Sequence, residues 1–278
     1  MASEKGYGLL KGKKGIIFGA LDERSIAWRI ALACKREGGE FILTNAPIAL
    51  RLGALDALAE ETGAEIMPCD VSKEEHVQKL MQDTKEKLGK IDFILHAIGM
   101  SPNIRKKKDY RELNYDWYNQ TLDISAISLH KVLSFAERED VLNDGASVVA
   151  LSYIGAQRIF SKYSDMNDAK ALLESIARNF GSRLADRGIR VNTVSQAPTK
   201  TSAGTGIKGF DGMYTFADMI APLGNPTADE CADNCVTLFS DLTRKVTMQN
   251  LYHDGGFVNS GISEEMINDL AKLYSEEE

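Results

Sequence analysis

Cysteine is scarce in this chain: four residues in 278, at Cys34, Cys69, Cys231 and Cys235. That spacing provides no disulfide framework and no Cys-x-x-Cys, which excludes stapled secreted scaffolds and zinc ribbons. Cys231 and Cys235 share a helix face at i and i+4, but without other ligands they read as reduced, buried thiols, and no metal is expected. Long apolar runs are missing as well, none approaching the ~18 residues that span a bilayer. The opening Met1, Ala2, Ser3, Glu4, Lys5 lacks the basic start and apolar core of a signal peptide. A cytoplasmic protein without membrane association is therefore expected. Positive charge is in deficit too: 33 Lys and Arg against 40 Asp and Glu leave a formal charge of −7 and a pI near 5.3, which argues against nucleic acid as a partner.

What the chain does have is alternation. Short, largely apolar runs at residues 15–19, 41–45, 65–69, 91–96, 146–151, 189–195 and about 249–252 read as strands. Between them, helical-period stretches run over about 25–38, 49–61, 70–88 and 113–139, then through Lys170 to about 187, and over 228–240. No linker or composition break divides the chain, so residues 1–278 are expected to form a single domain. Strands alternating with helices imply a parallel sheet, because parallel neighbours need crossover connections and these are right-handed. The expected fold is α/β, a doubly wound, Rossmann-type sheet, with ligands at the carboxyl ends of the strands. Four loops lie there, at residues 19–25, 69–71, 96–100 and 195–201.

Tyr163 and Lys170 stand seven residues apart. On one helix that spacing is two turns, with both side chains on one face and Cα atoms ~10 Å apart. A nearby ammonium favours a phenolate and would lower the phenol's pKa, making the pair suited to proton donation or oxyanion stabilisation. The loop after the first strand opens a helix, where a pyrophosphate can meet unpaired backbone N–H groups. It lacks a full Gly-x-Gly-x-x-Gly: Gly19 remains, followed by Ser25 and Ile26 at the helix start.

Taken in order, these segments resemble the short-chain dehydrogenase/reductase superfamily, and within it the bacterial NADH-dependent enoyl-acyl-carrier-protein reductases. The resemblance rests on the six residues between Tyr163 and Lys170, on Tyr153 upstream, and on the stretches 69–71, 96–99, 123–125, 190–192 and 253–257. It implies that Gly19, Ser25 and Ile26 bind the pyrophosphate and ribose side of NADH, Asp70 and Val71 the adenine, and Ile98 and Gly99 the next ribose. Lys170 would hold the nicotinamide ribose hydroxyls, while Thr199 and Thr201 would contact the carboxamide and pyrophosphate. Tyr153 and Tyr163 would face the enoyl thioester, with Ser101 near its carbonyl end. The resemblance further implies a fatty-acid elongation enzyme acting on an acyl-carrier protein, a homotetramer built through the helices after strands four and five, and NADH in preference to NADPH. At the end of the second strand, Thr44, Asn45 and Ala46 carry neither acid nor base, although Arg24 and Arg51 could meet a 2′-phosphate.

Two departures from the family pattern stand out. Gln196, Ala197, Pro198 and Thr199 replace the usual small residues before Pro-Ile, and Asn167 and Asp168 replace a small pair before the lysine. Asp168 is expected to point to solvent; facing Lys170, it would raise the lysine pKa. A segment at about 199–220 would cover the substrate, and Gly204, Gly206, Gly209 and Gly212 within it suggest ordering on ligand arrival. Arg105, Lys106, Lys107 and Lys108 form a basic run that is either a solvated loop or a docking patch for an acidic carrier. The competing readings are a short-chain carbonyl reductase, which the Tyr/Lys spacing disfavours, and a dinucleotide-binding sensor without turnover.

Overall fold

The computed structural model describes residues 6–51, 54–202, 204 and 209–275. The readings placed on residues 1–5, and the parts of those on 49–61 and 199–220 that fall on residues 52–53, 203 and 205–208, Gly206 included, lie outside the described residues. Seven parallel strands form one sheet in the order β3-β2-β1-β4-β5-β6-β7. They are β1 Lys14–Phe18, β2 Glu40–Thr44, β3 Glu65–Ile66, β4 Ile91–His96, β5 Leu142–Ser152, β6 Arg190–Gln196 and β7 Asn250–His253. The helices are α1 Ile26–Arg36, α2 Pro47–Leu50, α3 Leu55–Thr62, α4 Glu74–Leu88, α5 Pro102–Arg105, α6 Tyr115–Leu122, α7 Ser128–Arg138, α8 Met166–Arg183, α9 Phe210–Ile220, α10 Ala228–Phe239 and α11 Glu264–Ser275. The strand order reverses direction beside β1, as a doubly wound sheet requires.

The strands are apolar on both faces because both faces are covered. Ile16, Phe18, Ile94 and Val148 pack into one layer with Leu80 and Met81 of α4, Val132 of α7 and Leu173 of α8. Ile17, Leu43, Leu95 and Val149 turn to the opposite layer with Ile30 of α1, Leu58 of α3 and Val236 of α10. Cys34, Cys231 and Cys235 are buried in that second layer. Burial pushes the Cys34 thiol above its ordinary range, and Cys69 likewise up to about 12.

The helix expected over 49–61 is divided into α2 and α3, and β5 starts at Leu142 rather than 146; three further differences have a clear local cause. β3 is short, although Met67 and Cys69 still donate backbone bonds to Leu43 and Asn45 at 2.9 and 3.0 Å; Pro68 between them has no N–H to give. The long helix expected over 113–139 is interrupted by a π-turn at Asp123–Ile127 between α6 and α7. There the Ser125 hydroxyl accepts from Met100 N at 3.0 Å, so the irregularity clasps the loop after β4, a frequent use of π-turns near functional sites. The third difference is at Tyr163, which does not belong to α8: it ends a 3-10 turn at Ser161–Tyr163, and Ser164 then takes φ +46°. No helix of the described residues is long and apolar enough to cross a membrane.

Candidate active site

The carboxyl end of β1 turns through Gly19 into the N-terminus of α1. Gly19 has φ +95°, and a Cβ there would lie 2.1 Å from the Ala97 carbonyl oxygen, so only glycine permits this turn against β4. Ser25 does not cap α1. Its hydroxyl donates to Asp22 O at 2.7 Å and accepts from Leu21 N at 3.2 Å, closing the loop on itself. With no side-chain cap and no acid in its first turn, the helix keeps its positive end open to a phosphate. Ser202 donates to Asp22 and ties this loop to the segment after β6. Asp70 forms a local turn, accepting from Ser72 N at 3.0 Å and Ser72 Oγ at 2.7 Å. Val71 is buried in the core. Asn45 stands where an acid would select a ribose hydroxyl, and its amide donates to Ala20 O at 2.8 Å.

A cavity of about 560 Å³ opens beside this loop. Of the residues singled out in the sequence, Ile26, Ile98, Gly99 and Ser101 line it, together with Tyr153, Tyr163, Lys170, Thr199 and Thr201. Gly19, Ser25, Asp70 and Val71 do not reach its walls. A turn at Ser164, with φ +46°, separates Tyr163 from α8, and from its two sides Tyr163 and Lys170 reach the same cavity. Tyr153 follows β5 in extended conformation, and its ring meets that of Tyr163 edge to face, centroids 4.8 Å apart. Gly155 makes room for both: a Cβ there would lie 3.0 Å from each tyrosine ring and 2.6 Å from Asn167 Oδ1.

The electrostatics differ from the expectation of a lowered phenol pKa. Burial pushes Tyr163 above its ordinary range; for Tyr153 burial acts first and the neighbouring Tyr163 adds to it. Both phenols therefore stay protonated at neutral pH and can act as hydrogen-bond donors. Lys170 moves the other way: burial lowers its pKa to about 8, with Glu174 opposing the shift. The Lys170 ammonium donates to Leu151 O at 2.7 Å. Glu174, itself buried, accepts from Ser152 Oγ at 2.7 Å and Gln157 Nε2 at 3.3 Å. Asp168 faces neither Lys170 nor open solvent, because Tyr110 and Tyr118 cross the first turn of α8 and donate to it at 2.9 and 3.2 Å.

Gln196 is knitted into the site. Its amide nitrogen donates to Thr199 Oγ1 at 3.1 Å, and its oxygen bonds His253 Nδ1 at 2.7 Å. Ser101 donates its hydroxyl proton to Asp165 at 2.7 Å and accepts from Ile104 N at 3.0 Å, so that proton is directed away from the cavity. Sequence reasoning passed over Phe210 and Met213, which line the cavity from α9; Phe210, Met213, Ala217 and Ile220 form a helical apolar stripe that the glycines of this segment obscured. It also passed over Glu174, whose i+4 spacing from Lys170 was the available signal.

A doubly wound sheet with an open helix terminus at β1, and a buried lysine and two protonated tyrosines around one cavity, defines a dinucleotide-dependent reductase of the short-chain dehydrogenase/reductase type. The family profile described as enoyl-(acyl carrier protein) reductase matches residues 19–258, and the chain belongs to that family. The chain is 36% identical over 268 residues to enoyl-[acyl-carrier-protein] reductase [NADH] 1 of Rhizobium meliloti, covering 96% of this chain and 97% of that protein. A FabI–NADH complex from Alistipes finegoldii superposes with TM-score 0.91 at 54% identity, covering 92% of each chain. FabI from the same organism gives TM-score 0.93 at 50% identity, over 98% of this chain and 100% of that one.

Proposed function

We propose that the chain is an NADH-dependent enoyl-acyl-carrier-protein reductase, reducing the trans-2 double bond of enoyl thioesters in fatty acid elongation. The observation that carries this reading is the cavity in which Tyr153, Tyr163 and Lys170 converge beside the uncapped N-terminus of α1. The residues present suit a dinucleotide: the uncapped N-terminus of α1 offers backbone amides to a pyrophosphate, and Gly99 adds no side chain to the cavity wall, where a Cβ would lie 3.3 Å from Met166. Lys170 would hold the nicotinamide ribose, and Thr199 and Thr201 the carboxamide side. Gly19, Ser25 and Ile26 would flank the pyrophosphate, Asp70 and Val71 the adenine. NADH, when bound, supplies the hydride. As negative charge develops on the thioester oxygen, the protonated Tyr163 hydroxyl donates to it, the action of an oxyanion hole; Tyr153 shares that wall. The preference for NADH over NADPH rests on the family, because Asn45 puts no acid there to repel a 2′-phosphate. Loss of NADH absorbance with a crotonyl or longer enoyl thioester, and none with a ketoacyl thioester, is the expected result. Turnover of the ketoacyl thioester alone would turn the reading to a carbonyl reductase; turnover of neither would leave a dinucleotide sensor.

The finer assignments belong to the same proposal. The described residues of the segment at 199–220 cover the substrate, supported by Thr199, Thr201, Phe210 and Met213 in the cavity wall. The enzyme works in the cytoplasm as a homotetramer joined through the outer faces of α6, α7 and α8; light scattering would give the mass of four 30.6 kDa chains. Arg105, a cavity residue, leads into Lys106, Lys107 and Lys108, all exposed. Among the described residues none of these four makes an ion pair, and exposed Lys162 adjoins the same mouth. In a chain of net charge −7 this is a local positive rim suited to an acidic carrier protein. Replacing Lys106, Lys107 and Lys108 by Ser should raise KM for the carrier-bound substrate about tenfold at low salt. A shorter carrier-free thioester should be little affected, and the difference should vanish near 1 M salt, where the Debye length is about 3 Å. Equal KM on the carrier-bound substrate at low salt would return the lysines to a solvated loop.

A further inference from the structure

Asp165 is fully buried, two residues after Tyr163, and the mechanism above does not use it. It occupies the residue before α8, yet its carboxylate caps none of that helix's amides. It gathers donors from other elements: Ser101 Oγ to Oδ1 at 2.7 Å and Asn103 Nδ2 to Oδ2 at 3.0 Å, while the single proton of Thr121 Oγ1 is shared between Oδ2 at 3.0 Å and Trp117 O at 2.8 Å. Asn103 is buried as well and exchanges bonds with Asn114, accepting from its N–H at 3.1 Å and donating to its carbonyl at 3.2 Å. The whole excursion from β4 to α6 is thus gathered onto the turn that carries Tyr163. Met100, Ser101, Ile104 and Arg105, from the gathered side, line the same cavity as Tyr163 and Met166. Asp168 makes a second, more exposed tie to the same excursion through Tyr110 and Tyr118.

We propose that Asp165 is a positioning residue: its buried carboxylate fixes the Met100–Ser101–Ile104–Arg105 wall against Tyr163 and so sets the fit of the thioester. Among the described residues no cation pairs with it; neutral donors alone satisfy it. A buried carboxylate held only by hydroxyl and amide groups is sensitive to their loss, because each unpaired partner carries its full desolvation cost. Asn at this position can still accept from Asn103 and offer its N–H to the Ser101 oxygen, whereas Ala cannot satisfy either.

The inference rests on the reductase reading for its kinetic consequence but not for its structural one, so both are measured. In Asp165→Ala, which strips an acceptor from three donors, KM for an enoyl thioester should rise at least about tenfold, the scale of a single lost buried hydrogen bond, with NADH affinity unchanged. Asp165→Asn should recover most of that loss. Amide hydrogen exchange over residues 101–112 should quicken about tenfold in the Ala variant, while the loop at 19–25 stays as protected as in wild type. Should Asp165→Ala fail to fold, Thr121→Val keeps the volume, removes one donor away from the cavity, and should shift KM and exchange in the same directions. Unchanged exchange at 101–112 in the folded variants overturns the proposal, as does a loss of NADH affinity parallel to the rise in KM. A wild-type chain without enoyl turnover overturns the reductase reading instead, and the exchange result still decides the role of Asp165.

Discussion

Tyr163→Phe is expected to lower kcat on an enoyl thioester about a hundredfold while leaving NADH affinity nearly intact. The substitution removes one oxygen and keeps the ring that packs edge to face on Tyr153 and joins the small cluster of Tyr153, Ile154 and Phe257. Nothing in the fold depends on that oxygen: no described side chain or backbone group bonds it, so its loss falls on the reacting substrate. Because burial holds the phenol protonated, what disappears is a donor aimed at developing charge, and donors of that kind act on the transition state more than on binding. Stopped-flow NADH oxidation, with fluorescence titration of NADH, separates the two effects. Wild-type turnover in Tyr163→Phe would move the role to Tyr153, whose own Phe variant would then show the loss.

The fold was legible because its signals are repeated. Each buried strand announces itself as a short apolar run, and the longer helices packed on the sheet by their period, some also by a terminal glycine; Gly63 and Gly89, both with positive φ, stop α3 and α4 where expected. The cavity residues were legible for another reason, their position after strands in an order that resembles a family. What escaped was whatever depends on one backbone angle or on partners distant in sequence. The spacing of Tyr163 and Lys170 was read as two turns of helix, but Ser164 at φ +46° separates them, and a single left-handed residue leaves no periodic trace. The expectation that Asp168 points to solvent misses its partners, Tyr110 and Tyr118, because they are 58 and 50 residues away. The direction of the tyrosine shift was misjudged because burial is a tertiary quantity, and burial outweighs any help from a neighbouring charge.

Lys170→Ala should do what the tyrosine variant does not, and weaken NADH binding as well as turnover. A buried ammonium that hydrogen-bonds ribose hydroxyls contributes about 1.5–3 kcal/mol, or roughly ten- to 150-fold in Kd. Its pH dependence is a sharper test than its size. Burial penalises the charged lysine, so the proton leaves at about 8 rather than at the ordinary 10.5. Below that pH the ammonium is present and NADH binds at full strength; as pH rises through about 8 the amine becomes neutral, and Kd should climb toward the value of the Ala variant. Glu174 supports the charged form, so Glu174→Gln should move the midpoint to lower pH without altering the affinity reached at acid pH. In Lys170→Ala the profile should be flat over this range, since the titrating group is gone and the tyrosines titrate far above it. NADH titrations from pH 6 to 10 on the three proteins check all of this. A wild-type profile as flat as that of Lys170→Ala would remove Lys170 from the ribose site.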